Sequence, residues 1–263
     1  MEAAVAALPI AMPLRMNTMS RSRAILRDVS RSQALCSACN HRDKCLTDDT
    51  DSSGAKQIDE LVTMRIRLRK GDTLYRAGAP FAALYAIRSG SLKTILLAED
   101  GRDQVAGYHM PGEVVGLDGI GNDVHECQAV ALEDSEVCTL PFDRIEEVAR
   151  EYAAFQHKVH RHLSREIARQ RSLMLLLGTM RADQRLAAFL LDLSERYQAR
   201  GYSSSEFILR MTREEIGSYL GLKLETVSRL LSRLQQEGLI QVQGRVVKLL
   251  ERSALKQLVG QTA

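Results

Sequence analysis

Three of the chain's five cysteines fall within ten residues, "CSACNHRDKC" at 36–45. C-x2-C-x5-C puts three thiols on a short polar loop. His41, Arg42 and Lys44 stand among them, and such neighbours lower thiol pKa values towards the ligating thiolate. A thiolate centre, whether zinc or an iron–sulfur cluster, takes a fourth ligand. The other two cysteines, Cys127 and Cys138, both lie in β-prone stretches, and spacing does not choose between them. An odd cysteine count without a convincing export signal argues against a disulfide framework and for a reducing compartment. A thiol–disulfide enzyme using Cys36 and Cys39 would place the pair at a helix start after a strand, and residues 30–50 do not read that way. No nucleophile–base pair stands out elsewhere, so no enzyme is expected.

A second stretch has the residue types for nucleic-acid chemistry: "TREEIGSYLGLKLETVSRLLSRLQQEGLI", residues 212–240. Thr212 and Glu215 form a T-x-x-E capping box that starts a helix with Ile216, Tyr219 and Leu220 on one side. Gly221 ends it. A second helix follows from about Leu224 to Gln236, with Val227, Leu230, Leu231 and Leu234 inward and Glu225, Ser228, Arg229 and Ser232 outward. This is helix-turn-helix spacing, in which the second helix enters the major groove of double-stranded DNA. Arg229 offers two donors to a guanine, Glu225 an acceptor for a cytosine amino group, and Ser228 a hydroxyl for base or phosphate. Lys223 takes the N-cap position, where its charge suits a phosphate better than a cap. "LIQVQGRVVKLL" then reads as a hairpin turning at Gln243-Gly244, a wing whose Arg245 and Lys248 reach phosphates.

The elements that must position these groups can be read in outline. Residues 1–35 read as a disordered tail, since the Ala-rich start lacks the basic residues of a signal peptide. Residues 36–56 form the cysteine loop and a polar linker. From 57 to 150, short β-prone pieces alternate with glycine turns at 71, 78, 90, 101, 107 and 112, the pattern of a compact antiparallel roll. Over 151–179 positions 156, 160, 163, 167, 170, 174 and 177 make an a/d seam whose apolar centre holds Leu163, Ile167, Met174 and Leu177 around Gln170. Such a seam predicts a parallel homodimer helix, weakened by His160 and Gln170. Residues 180–263 carry 13 Lys and Arg against 9 Asp and Glu, while residues 59–179 carry 15 against 18. The basic end suits a polyanion. Apolar runs are far short of the ~18 residues a membrane span needs.

A β-roll, a long helix and a winged helix-turn-helix in this order resemble the CRP/FNR superfamily of bacterial transcription regulators. The fold class implied is α+β: an N-terminal cysteine loop, a cyclic-nucleotide-binding-like β-roll, a long dimerisation helix and a C-terminal winged helix-turn-helix. Members that bind cyclic AMP use an arginine after a Gly-Glu pair. Gly112-Glu113 is present here, but no Lys or Arg occurs between Asp103 and Asp143, and an unpaired buried phosphate is costly. No cyclic nucleotide is therefore expected. The loop spacing, "LYAIRSG", "SEVCTLPFD", "RLAAFLLDLSERY" and "ETVSRLL" together look like the FNR (fumarate and nitrate reduction) type, over about residues 36–260.

That resemblance implies Cys36, Cys39, Cys45 and Cys138 as ligands of a 4Fe-4S cluster, with Cys127 structural. It implies a cytoplasmic, oxygen-responsive activator or repressor that dimerises when the cluster is intact. It implies recognition of an inverted TTGAT repeat through Glu225, Ser228 and Arg229, and an RNA polymerase contact at the turn around Asp100, Gly101 and Arg102. A DNA-binding regulator of the same superfamily with a zinc or thiol-redox site is the alternative.

Overall fold

The computed structural model describes residue 36 and residues 39–46, 60–97 and 101–260. The expected tail, the linker at 47–56 and Asp100 lie outside the described residues.

Eight strands build the roll as two antiparallel sheets. One runs β1 (Met64–Leu68), β8 (Ser135–Pro141), β3 (Ala83–Ser89), β6 (Val114–Val115). The other runs β2 (Thr73–Tyr75), β7 (Cys127–Ala131), β4 (Leu92–Leu97), β5 (Asp103–His109). The period-2 alternation of strand side chains sorts residues between two cores. Ile66, Leu68, Ile87, Leu92, Ala129 and Val137 cluster in one. Leu84, Ala86 and Leu140, offset by an odd number of residues along the same strands, pack in the other with Ile145 and Phe155 of the helices that follow. Cys138 belongs to that second set, beside Cys45.

Of the six glycines read as turns, Gly71, Gly78, Gly90, Gly101 and Gly112 have positive φ. Gly107 does not turn the chain. It sits inside β5, where a Cβ would come within 2.9 Å of His109 Nε2 and 3.0 Å of Thr94 Oγ1, and the β4–β5 register slips beside it between Thr94 and Ile95. A glycine in a strand interior marks such a close approach as readily as a bend.

Helix α1 (Phe142–Glu151) and helix α2 (Ala153–Thr179) are separated by Tyr152 in an extended conformation. The buried Phe155 anchors the start of α2 to the roll. Further along, Ile167 and Met174 are 53% and 72% exposed, and Leu175 beside them 60%. Apolar side chains left open on one helix call for a cover.

The C-terminal unit comprises α3 (Ala182–Gln198), β9 (Glu206–Ile208), α4 (Arg213–Leu220), α5 (Leu224–Gln236), β10 (Ile240–Gln243), β11 (Val246–Leu249) and α6 (Arg252–Gly260). Strands β10 and β11 form the wing hairpin, with β9 on its far edge. Leu186, Leu190, Ile216, Leu220, Val227, Leu231, Leu234 and Val247 fill the core. Arg185 fastens this unit to the long helix. It donates to the Leu177 and Met180 carbonyls at the end of α2 and to the Leu220 carbonyl at the end of α4. A cation there meets carbonyls that have no intrahelical partner and the negative end of each helix dipole.

Candidate metal centre and nucleic-acid interface

Cys36, Cys39, Cys45 and Cys138 line a single cavity with His41, Arg65, Ala86, Arg88 and Gly112. The loop's cysteines arrive on a turn, where Cys39 N donates to the Cys36 carbonyl and Lys44 N to that of His41, closing a 3-10 turn at Arg42–Lys44. Cys138 arrives from the middle of β8, paired with Arg65 of β1 on one side and Ala86 of β3 on the other. The small Ala86 leaves room over the sheet. Burial pushes the Cys138 thiol up to about 12, and the neighbouring sulfurs of Cys36, Cys45 and Cys39 add to the shift, opposed by Arg65. A positively charged centre bound by these four thiols would remove the repulsion between their ionised forms. Among the described residues, no three His, Cys, Asp or Glu side chains converge as ligands of one ion.

Cys127 sits elsewhere. It is on β7, its backbone N–H donating to Asp118, and it lines a different cavity against α2 with Leu163, Ile167 and Gln170. Burial and then the charge of Asp118 hold its thiol up at about 12.

The loop also touches the long helix. His162 of α2 hydrogen-bonds the Cys45 backbone, and burial followed by Arg165 lowers its pKa to about 4, so the ring is neutral at pH 7. Of the expected seam, Ile167 and Met174 are open, whereas Leu163, Gln170 and Leu177 are half-buried. Gln170 donates to Glu166 one turn back, a contact within its own helix.

The reader is set up as its sequence indicates. Thr212 Oγ1 accepts from Glu215 N at 3.1 Å and Glu215 Oε2 accepts from Thr212 N at 2.6 Å, both halves of a capping box. Gly221 ends α4 in the left-handed region, φ +63°. Lys223 is the N-cap of α5 and makes no side-chain cap bond. Lys223, Glu225 and Arg229 are exposed on the first turns of α5, and Arg245 is exposed at the wing tip. Ser228 is half-buried because Arg213, on α4, donates to its Oγ at 3.2 Å. Arg213, which the sequence did not single out, is itself exposed at the start of α4. Gly101 and Arg102 of the β4–β5 turn are both exposed.

Sequence reading also missed the surroundings of Glu113. No Lys or Arg lies near it in the chain, yet Arg169 of α2, Arg196 of α3 and Arg200 in the turn after α3 all reach its carboxylate. The local absence of cations therefore does not hold in three dimensions. Burial alone would raise Glu113, but Arg196, Arg169 and Arg200 outweigh it and hold the carboxyl at about 2.

Comparison with known proteins gives two family matches: a Crp-like helix-turn-helix domain over residues 184–258 and a cyclic nucleotide-binding domain over residues 65–152. The chain is 49% identical over 233 residues to the transcriptional regulatory protein btr of Bordetella pertussis, covering 89% of this chain and 96% of that protein. It is 39% identical over 227 residues to the fumarate and nitrate reduction regulatory protein of Escherichia coli K12, covering 86% and 91%. Among solved structures, FixK2 from Bradyrhizobium japonicum superposes with a TM-score of 0.70 at 32% identity, covering 76% of this chain and 98% of that one.

Proposed function

The chain belongs to the FNR type of CRP/FNR transcription regulators, and from that premise we propose that it senses oxygen through a 4Fe-4S cluster held by Cys36, Cys39, Cys45 and Cys138. It is a DNA-binding regulator and not an enzyme, as its relatives are. The observation that carries the proposal is the single cavity lined by those four cysteines and not by Cys127. When bound, the cluster supplies an oxygen-labile tie between the N-terminal loop and β8.

The chain's own residues do the rest. Closure of the loop over β8 and β3 brings Cys45 against His162 and so steadies α2 on the roll. A steadied α2 presents Ile167, Met174 and Leu175 for a second copy to cover, with Leu163 and Leu177 flanking. A homodimer places two α5 helices about one DNA turn apart, on an inverted TTGAT-type repeat. Glu225, Ser228 and Arg229 read bases there, while Lys223 and Arg245 meet phosphates. Moving such a dimer from 1:99 to 99:1 takes about 5.5 kcal/mol of differential binding.

The exposed turn at Gly101 and Arg102 is the surface we assign to the RNA polymerase contact. Arginines near the Gly-Glu turn are already engaged by Glu113, which supports a regulator without cyclic nucleotide. A regulator that binds DNA works in the cytoplasm of a bacterium, and no helix among the described residues is long and apolar enough to cross a membrane.

The experiment is iron and acid-labile sulfide analysis on oxygen-free protein, followed by sizing before and after air. About four irons per chain, a brown colour that bleaches and a dimer that loosens are expected. Colourless protein with zinc, or a dimer indifferent to air, overturns the proposal.

A further inference from the structure

We infer that Glu113 is the positioning residue through which the cysteine loop sets the DNA-reading unit against the roll. The inference rests on the cluster reading above. Glu113 follows Gly112 in the turn between β5 and β6, and its side chain is 15% exposed. Arg196 Nη2 donates to Glu113 Oε2 at 2.8 Å and Oε1 at 3.1 Å, and Arg200 Nη2 donates to Oε1 at 2.7 Å. Arg196 lies in the last turn of α3 and Arg200 in the turn just after it, at the head of the C-terminal unit, and both also grip the backbone around the same turn: Arg196 through the Tyr108 carbonyl at 2.6 Å, Arg200 through that of Pro111 at 2.8 Å. Arg169 of α2 adds a weaker contact at 3.4 Å. It also pairs with Glu166 at 3.3 Å, and Glu166 accepts from Gln170 on the expected dimer seam.

The cysteine loop leans on the other side of this turn. Gly112 is left-handed, and a Cβ there would stand 2.8 Å from Lys44 Cβ and 3.4 Å from the His41 carbonyl. His41 and Lys44 lie between the ligands Cys39 and Cys45, so any shift of the loop presses on the residue next to Glu113. One carboxylate thus meets the sensor loop's support, the dimer helix and the reader. It is also largely desolvated, with both oxygens accepting from Arg196 Nη2 and Oε1 accepting from Arg200 Nη2 as well. Such pairs fix geometry in a way that exposed ion pairs do not. Glutamine at this position has the shape but neither the charge nor the second acceptor oxygen.

The test compares DNA affinity of air-free and air-exposed protein on an inverted-repeat duplex, for the parent, Glu113→Gln, Arg200→Lys, Arg200→Gln and the Glu113→Gln/Arg200→Gln double variant. Iron content and thermal midpoint are recorded for each. In Glu113→Gln the air-free to air-exposed affinity ratio is expected to shrink about 3- to 30-fold with iron per chain unchanged. Arg200→Lys, which keeps the charge but cannot hold Glu113 and the Pro111 and Arg196 carbonyls through one planar group, shrinks it less. The double variant should deviate from the product of the single effects, because it removes a guanidinium left uncompensated by the first change. A purely structural role would lower the midpoint and leave the ratio alone. An unchanged ratio in Glu113→Gln, or strictly multiplicative effects, overturns the inference. If the parent holds no iron and shows no response to air, the cluster reading fails. The positioning role then stands or falls on whether Glu113→Gln weakens DNA binding relative to the parent.

Discussion

The candidate metal centre and the DNA reader are assembled in opposite ways. The reader's helix-turn-helix is a contiguous stretch from Thr212 to Gln236 in which each neighbour fixes the next: a capping box, a left-handed glycine, then a helix with one apolar face. The centre joins a loop at 36–45 to the middle of a strand at Cys138. Its cysteines share no local geometry and meet only if β1, β3 and β8 pair in register. A local device keeps its shape when partners leave. A non-local one depends on the fold around it, which suits the sensing role proposed for it.

The largest expected effect breaks the comparison on the non-local side. Cys138→Ala should leave almost no iron in air-free protein, whereas Cys127→Ala should retain the parent's iron and colour, because Cys127 faces a different cavity. Iron analysis on both variants decides it, and loss in Cys127→Ala alone would invert the assignment. The next effect sharpens the local side. Arg229→Ala should cost about 1–3 kcal/mol at the guanine of the half-site and relax discrimination there, as measured with duplexes substituted at that base pair. Uniform weakening on every duplex would reduce Arg229 to a phosphate contact. Smallest is Thr212→Ala, which removes one half of the capping box and should lower stability by about 1 kcal/mol in thermal or urea unfolding. Iron content should not change.

The same contrast explains what could be read in the sequence. Helices α4 and α5 and the wing hairpin fall where the α4 capping box, glycines and apolar spacing put them, because those signals act within a few residues. Most roll strands were legible for the same reason. Strands β2, β6 and β9 were not, since two or three residues carry no alternation to detect. Tyr152 separates α1 from α2 without a Pro or Gly to announce it. The choice between Cys127 and Cys138 turns on which sheet each strand joins, a pairing that spacing cannot encode. The arginines at Glu113 come from 56 to 87 residues further along the chain. No reading of its sequence neighbours could supply them.

Glu215 serves two structures with one carboxylate. Its Oε2 closes the capping box of α4, while its Oε1 takes Lys93 of β4 at 2.6 Å, and nearby Val105 N donates to Ser218 Oγ at 2.8 Å. Any hinge motion that swings the winged unit off the roll must therefore surrender Lys93 at the very group that nucleates α4. Freedom of the whole unit and firmness of a single helical turn are then drawn from the same oxygen pair.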